Sequence, residues 1–140
     1  MSDQQIRLVL DITAVLAYAR GSDDVGETIT QVRENGDAFT SGVLTLAAAR
    51  STAHTDFAGL VDALTAHPAW QPASLDTGEW GPLAATFDTL HRQLTDTPDL
   101  TEMSAAEAPV LSFRGSAVNV LTAQPQVYAV LGDDPPIIEI

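Results

Sequence analysis

Residues 6–18 read IRLVLDITAVLAY, and the fold of the chain follows from how this stretch divides. Residues 6–10 are a run of large apolar or long side chains without clean alternation, the pattern of a strand covered on both faces inside a sheet. Asp11 then stands at the carboxyl end of that strand, before an apolar helical segment that begins near Thr13. Two roles suit a carboxylate there. It can face the crevice where open α/β sheets place ligands, or it can cap the next helix by accepting its free amides.

On the carboxyl side, the helix from Thr13 should end around Gly21. Val25, Ile29 and Val32 recur at helical spacing, with Ser22 or Asp24 as cap and Gly36 just beyond the end. A second strand is expected over 38–40, and a helix from Ser41 through the alanines to Arg50. Phe57, Leu60, Val61 and Leu64 trace another helical stripe, which Pro68 stops. Residues 70–75 suit an edge strand able to tolerate Pro72.

The second half continues the alternation. Trp80, Leu83, Ala84, Phe87, Leu90, His91 and Leu94 fall on one helical face, which makes His91 a packed or interfacial histidine rather than a base. A further helix opens at Pro98 and Asp99, turns Leu100, Met103 and Ala106 inward, and is either kinked or ended by Pro109. A buried strand over 118–121, a turn at 122–126, a short helix over 127–131 and a last strand at 137–140 complete the order. Strands separated by helices predict a single α/β domain over residues 1–140, a sandwich with a mostly parallel sheet. A helical protein with minor strands is the alternative architecture.

The composition excludes several function classes. With 19 acidic and 6 basic residues the formal net charge is -13, and the six arginines are scattered, so the chain's own charge repels a phosphate backbone. With no cysteine there is neither a disulfide nor a thiolate metal site. No apolar run reaches membrane-spanning length and MSDQQ has no signal-peptide pattern, so a cytoplasmic protein with no membrane partner is expected. GSDDVG at 21–26 lacks the Walker lysine and the dinucleotide glycine spacing, Ser41-Gly42 is no nucleophile elbow, and His54, His67 and His91 have no metal-ligand spacing.

LVLDITAVLAY at 8–18 resembles the opening strand and helix of PIN-domain nucleases, including the VapC-like toxins of toxin-antitoxin systems. SGVLTLAAAR at 41–50 is similar to their second motif, and VNVLTAQPQVYAVLG at 118–132 to their last strand and turn. The resemblance implies a three-layer α/β/α sandwich around a parallel sheet, often a homodimer. Intact members gather carboxylates around magnesium or manganese and activate water to cleave RNA.

Carried over residue by residue, the resemblance gives an incomplete acidic site. Asp11 matches the first acid and Thr13 the nearby hydroxyl; Asp99 is the best match for the third acid, with Glu102 as a neighbour. The second acid falls on Ala48 and the final acid on Gln124. Losing two negative ligands weakens both ion retention and formation of a nucleophilic hydroxide. Two functions follow. The first is a degenerate PIN-like domain, noncatalytic and without a cofactor, that acts as an interaction or regulatory module, as a homodimer or with a protein partner. Tyr18, Trp70, Trp80 and Tyr128 are its candidate apolar contacts. The alternative is a weak or conditional magnesium- or manganese-dependent endoribonuclease in which Asp11 and Asp99 hold the metal, supported by Glu102, and RNA is the substrate.

Overall fold

The computed structural model describes residues 4–53, 55–94, 100–114, 117–132 and 135–140. Strand β1 (Ile6–Leu10) lies inside a four-stranded sheet of order β2-β1-β3-β4, between β2 (Ala38–Thr40) and β3 (Asn119–Thr122), with β4 (Ile137–Glu139) outermost. All pairings are parallel: Val9 is in register with Thr40 and Val120, Leu10 with Leu121, and Leu121 with Ile138. From β1 the chain moves to β2 on one side and later to β3 on the other. The crevice between the carboxyl ends of β1 and β3 is therefore a topological switch point, where such sheets place ligands.

Side-chain alternation along β1 and β3 divides the core into two layers. Leu8, Leu10 and Leu121 join a cluster with Ile12 and Val15 of α1 (Ile12–Ala19), Val25 and Ile29 of α2 (Asp23–Glu34), Ala48 and Ala49 of α3 (Val43–Thr52), and Val61 and Leu64 of α4 (Thr55–Leu64). Val9, Val118 and Val120 face the other way. They meet Leu90 of α5 (Trp80–Leu94), Ala105, Ala106, Ala108 and Leu111 of α6 (Leu100–Ser112), and Tyr128 of α7 (Pro125–Tyr128). Helices cover both faces of a parallel sheet, as the uninterrupted apolar run of β1 demands.

Local chemistry sets the helix ends. Ser22 caps α2 by accepting from the Val25 amide at 3.4 Å. Asp23 and Asp24 stand in its first turn and Arg33 in its last, each sign matched to the helix dipole. Gly36, at φ +76°, turns the chain out of α2 in the left-handed region that favours glycine. Arg114 pairs with Glu79 through Nε at 2.9 Å and again through its terminal nitrogen, tying the chain after α6 to the start of α5. That hydrogen bond, then the Asp76 backbone amide, holds the Glu79 carboxyl down at about 2.

Several expectations need correction. The 70–75 edge strand reduces to one parallel bridge between Phe39 and Trp70, with the Gln71 amide donating to the Phe39 carbonyl at 2.9 Å. Trp80 does not face the core: at the first position of α5 it is 74% exposed, because the apolar stripe becomes buried only further along the helix. Ser41 precedes α3 instead of starting it and accepts from Trp70 Nε1 at 3.3 Å. Of the two alternatives at Pro109, ending the helix is excluded, since α6 runs on to Ser112. The helix expected over 127–131 is the four-residue α7 followed by a 3-10 turn, Ala129–Leu131. His91 stacks on Phe87 at 5.5 Å, whereas His54 lies outside the described residues. Among the described residues no helix is long and apolar enough to cross a membrane.

The packing sets a stability test. Phe39 is the largest fully buried side chain and meets His67 edge-on at 5.3 Å. Phe39→Ala should cost about 3 to 5 kcal/mol in urea denaturation, while Trp80→Ala should stay within about 0.5 kcal/mol.

Candidate functional site

Asp11 leaves β1 at the switch point and is 2% exposed. Its amide donates to the Leu121 carbonyl at 3.2 Å, holding it against the end of β3. Its Oδ1 accepts from the Ala14 amide at 3.0 Å, capping α1, and from Thr13 Oγ1 at 2.6 Å. Its Oδ2 accepts from the Tyr128 hydroxyl at 2.7 Å. Three donors thus fill three of the roughly four acceptor positions of a carboxylate. Burial first, then the charge of Asp11 and the hydrogen bond to it, push the Tyr128 phenol well above its usual range, so it stays protonated and donating.

Thr13 and Thr122 join this carboxylate to the turn after β3. Thr13 Oγ1 accepts from the Ala123 amide at 2.8 Å and lies 3.2 Å from Thr122 Oγ1, which in turn accepts from the Gln124 amide at 2.9 Å. Asp11, Thr13 and the Gln124 backbone are therefore brought together at the carboxyl ends of β1 and β3. The Gln124 residue itself is exposed and its side chain does not cap α7. Asp99 lies outside the described residues, and Glu102 is placed only as backbone in the first turn of α6.

A second buried carboxylate escaped the sequence reading. Glu107, on α6 and 1% exposed, receives the Leu44 amide on Oε2 at 3.0 Å and the Thr45 amide on Oε1 at 2.9 Å. Both donors belong to the first turn of α3, whose dipole favours an anion. The approach demands glycine at residue 42: a Cβ there would come within 2.2 Å of the Glu107 carboxyl. Ala48 lies one turn beyond Leu44 on the same helix, with its methyl buried. The available signal was a lone acid inside the small-residue run SAAEAPV at 104–110, since an acid surrounded by core alanines must find a partner. Tyr128, a candidate contact residue whose first expectation is the core or its boundary, does lie in the core at 2% exposure; its bond to Asp11 is what the sequence did not show.

The overall fold is similar to that of a solved structure. The crystal structure of VapBC2 from Rickettsia felis bound to a DNA fragment from their promoter contains a chain similar to this one at a TM-score of 0.63. The match covers 95% of this chain and 96% of that chain, at 9% sequence identity. The fold is PIN-like. No family model and no curated protein matches the chain.

A PIN-type metal centre needs several carboxylate oxygens left free to converge on a cation. Among the described residues, the side chains at the matched positions do not form such a group. Asp11 and Glu107 spend their oxygens on protein donors, Ala48 has no ligand atom, and Gln124 has no charge. No buried side-chain nitrogen or oxygen lacks a partner among the described residues, and no three His, Cys, Asp or Glu side chains gather there as a metal-holding group.

Glycine substitutions separate the Glu107 contact from general helix effects. Gly42→Ala should destabilise by about 1 to 3 kcal/mol, because it dislodges a buried carboxylate from its donors. Gly59→Ala, in α4 with open space at its Cβ position, should be neutral or stabilising by up to about 1 kcal/mol. Urea denaturation of both variants checks the contrast.

Proposed function

We propose that this chain is a noncatalytic PIN-like domain of VapC type that works as a protein-interaction module. The observation that carries this reading is the Asp11 carboxylate, bonded to Thr13, Ala14 and Tyr128 instead of standing open in the crevice. A metal-dependent nuclease must place charge where water is activated; here the positions matched to the second and fourth acids carry a methyl group and an amide. The similar chain belongs to a VapBC2 structure bound to DNA. In the present protein a formal charge of -13 opposes direct contact with nucleic acid, so a partner protein would supply any such contact.

Purified protein should cleave labelled single-stranded RNA in magnesium or manganese no faster than its Asp11→Asn variant. Turnover by the unaltered chain that Asp11→Asn abolishes would establish the conditional ribonuclease instead.

The interaction surface proposed is helical and lies in the first half of the chain. Val43 at the start of α3 and Leu60 on the adjoining α4 are its exposed large apolar side chains, and a second copy is the occupant proposed. Analytical ultracentrifugation should show a dimer that Val43→Asp with Leu60→Asp dissociates. A persistent monomer over a broad concentration range would remove the homodimer from the proposal.

A further inference from the structure

We infer that the Tyr128 hydroxyl is a built-in substitute for a cation at Asp11, an internal plug that keeps divalent metal out of the crevice. The inference rests on the noncatalytic reading above and deepens it by naming the residue that enforces it. Asp11 Oδ1 is committed to the α1 cap and to Thr13, which leaves Oδ2 as the oxygen able to turn toward a ligand. Tyr128 holds that oxygen at 2.7 Å from within the core.

The position of Tyr128 is itself well determined. Thr122 at the end of β3 accepts the Gln124 amide, the Val127 amide donates to the Gln124 carbonyl at 3.1 Å, and Pro125 opens α7. This short turn carries the tyrosine back beneath the switch point, where its ring joins Leu90, Ala105 and Val120. The ring is thus secured by apolar packing on the α5 and α6 side, while its hydroxyl reaches the carboxylate at the end of β1. A phenylalanine would keep the packing and lose only the donor, so the chemistry added by tyrosine over phenylalanine is the bond to Asp11. A metal reaching Oδ2 would have to displace a donor already inside the core.

The full-length chain with manganese chloride as probe tests this, read by calorimetry and by manganese electron paramagnetic resonance. The background is Ala48→Glu with Gln124→Asp, which supplies the two missing charges, with or without Tyr128→Phe. Tyr128→Phe should tighten manganese binding by about tenfold, the scale of one hydrogen bond to a charged group that the metal no longer has to displace, and adding Asp11→Asn should abolish the gain. Equal affinity with and without Tyr128→Phe, in folded proteins, would overturn the plug. That outcome is separate from the RNA assay: the chain can lack nuclease activity whether or not Tyr128 is the reason metal is excluded. If Tyr128→Phe does not fold, tyrosine labelled with 13C at Cζ gives the answer in the unaltered protein. Its Tyr128 resonance should not move with millimolar magnesium; a shift that Asp11→Asn removes would show that metal displaces the hydroxyl, and the inference would fail.

Discussion

Burying a carboxylate at the end of a central strand is costly unless hydrogen-bond donors surround it, and the structure is arranged around meeting that demand for Asp11. The donors come from two parts of the chain: Thr13 and the Ala14 amide in the first turn of α1, and Tyr128 at the end of α7. The same contacts fix the entry of α1, the spacing of β1 against β3 and the seat of α7. Glu107 repeats the solution on α6 with the first-turn amides of α3. Each buried carboxylate joins segments distant in sequence and so acts as a structural junction. Removing one partner would leave the other desolvated, a larger effect than losing an ordinary surface contact.

On the proposed reading, this dual use of one position lets a PIN-like architecture persist without nuclease chemistry. Asp11 was open to two readings in the sequence, crevice ligand or helix cap, and the structure shows it capping α1 while lying in the crevice. Its cap role depends on no metal. A chain that lost the charges matched to Ala48 and Gln124 would still need the carboxylate for its fold. Tyr128 then supplies a donor from inside the core, which holds the negative charge in a neutral setting.

The sheet was legible because its signals are local. The uninterrupted run at 6–10, the short apolar strands near 38 and 118, and the capped helices between them needed only spacing and turn chemistry to be placed. Asp11 was legible for the same reason, since it ends a strand and begins a helix. Trp80 was misplaced because a helical stripe gives the direction of a side chain but not where along the helix the neighbouring layer ends. Trp70 made one bridge rather than a strand because only its immediate backbone reaches Phe39. Glu107 and Tyr128 were beyond local reasoning: what makes each matter is a partner 62 or 117 residues away. An acid among alanines signals that a partner exists, but the amides of α3 become that partner only once α6 packs across them.

Crystals of the unaltered protein grown in saturating manganese, with anomalous diffraction collected at the manganese edge, test the replacement of metal by protein donors most directly. The prediction is no anomalous peak in coordination contact with Asp11 or Glu107, with the Tyr128 hydroxyl still on Asp11 Oδ2. A manganese ion bound by Asp11, with Tyr128 turned away, would contradict it.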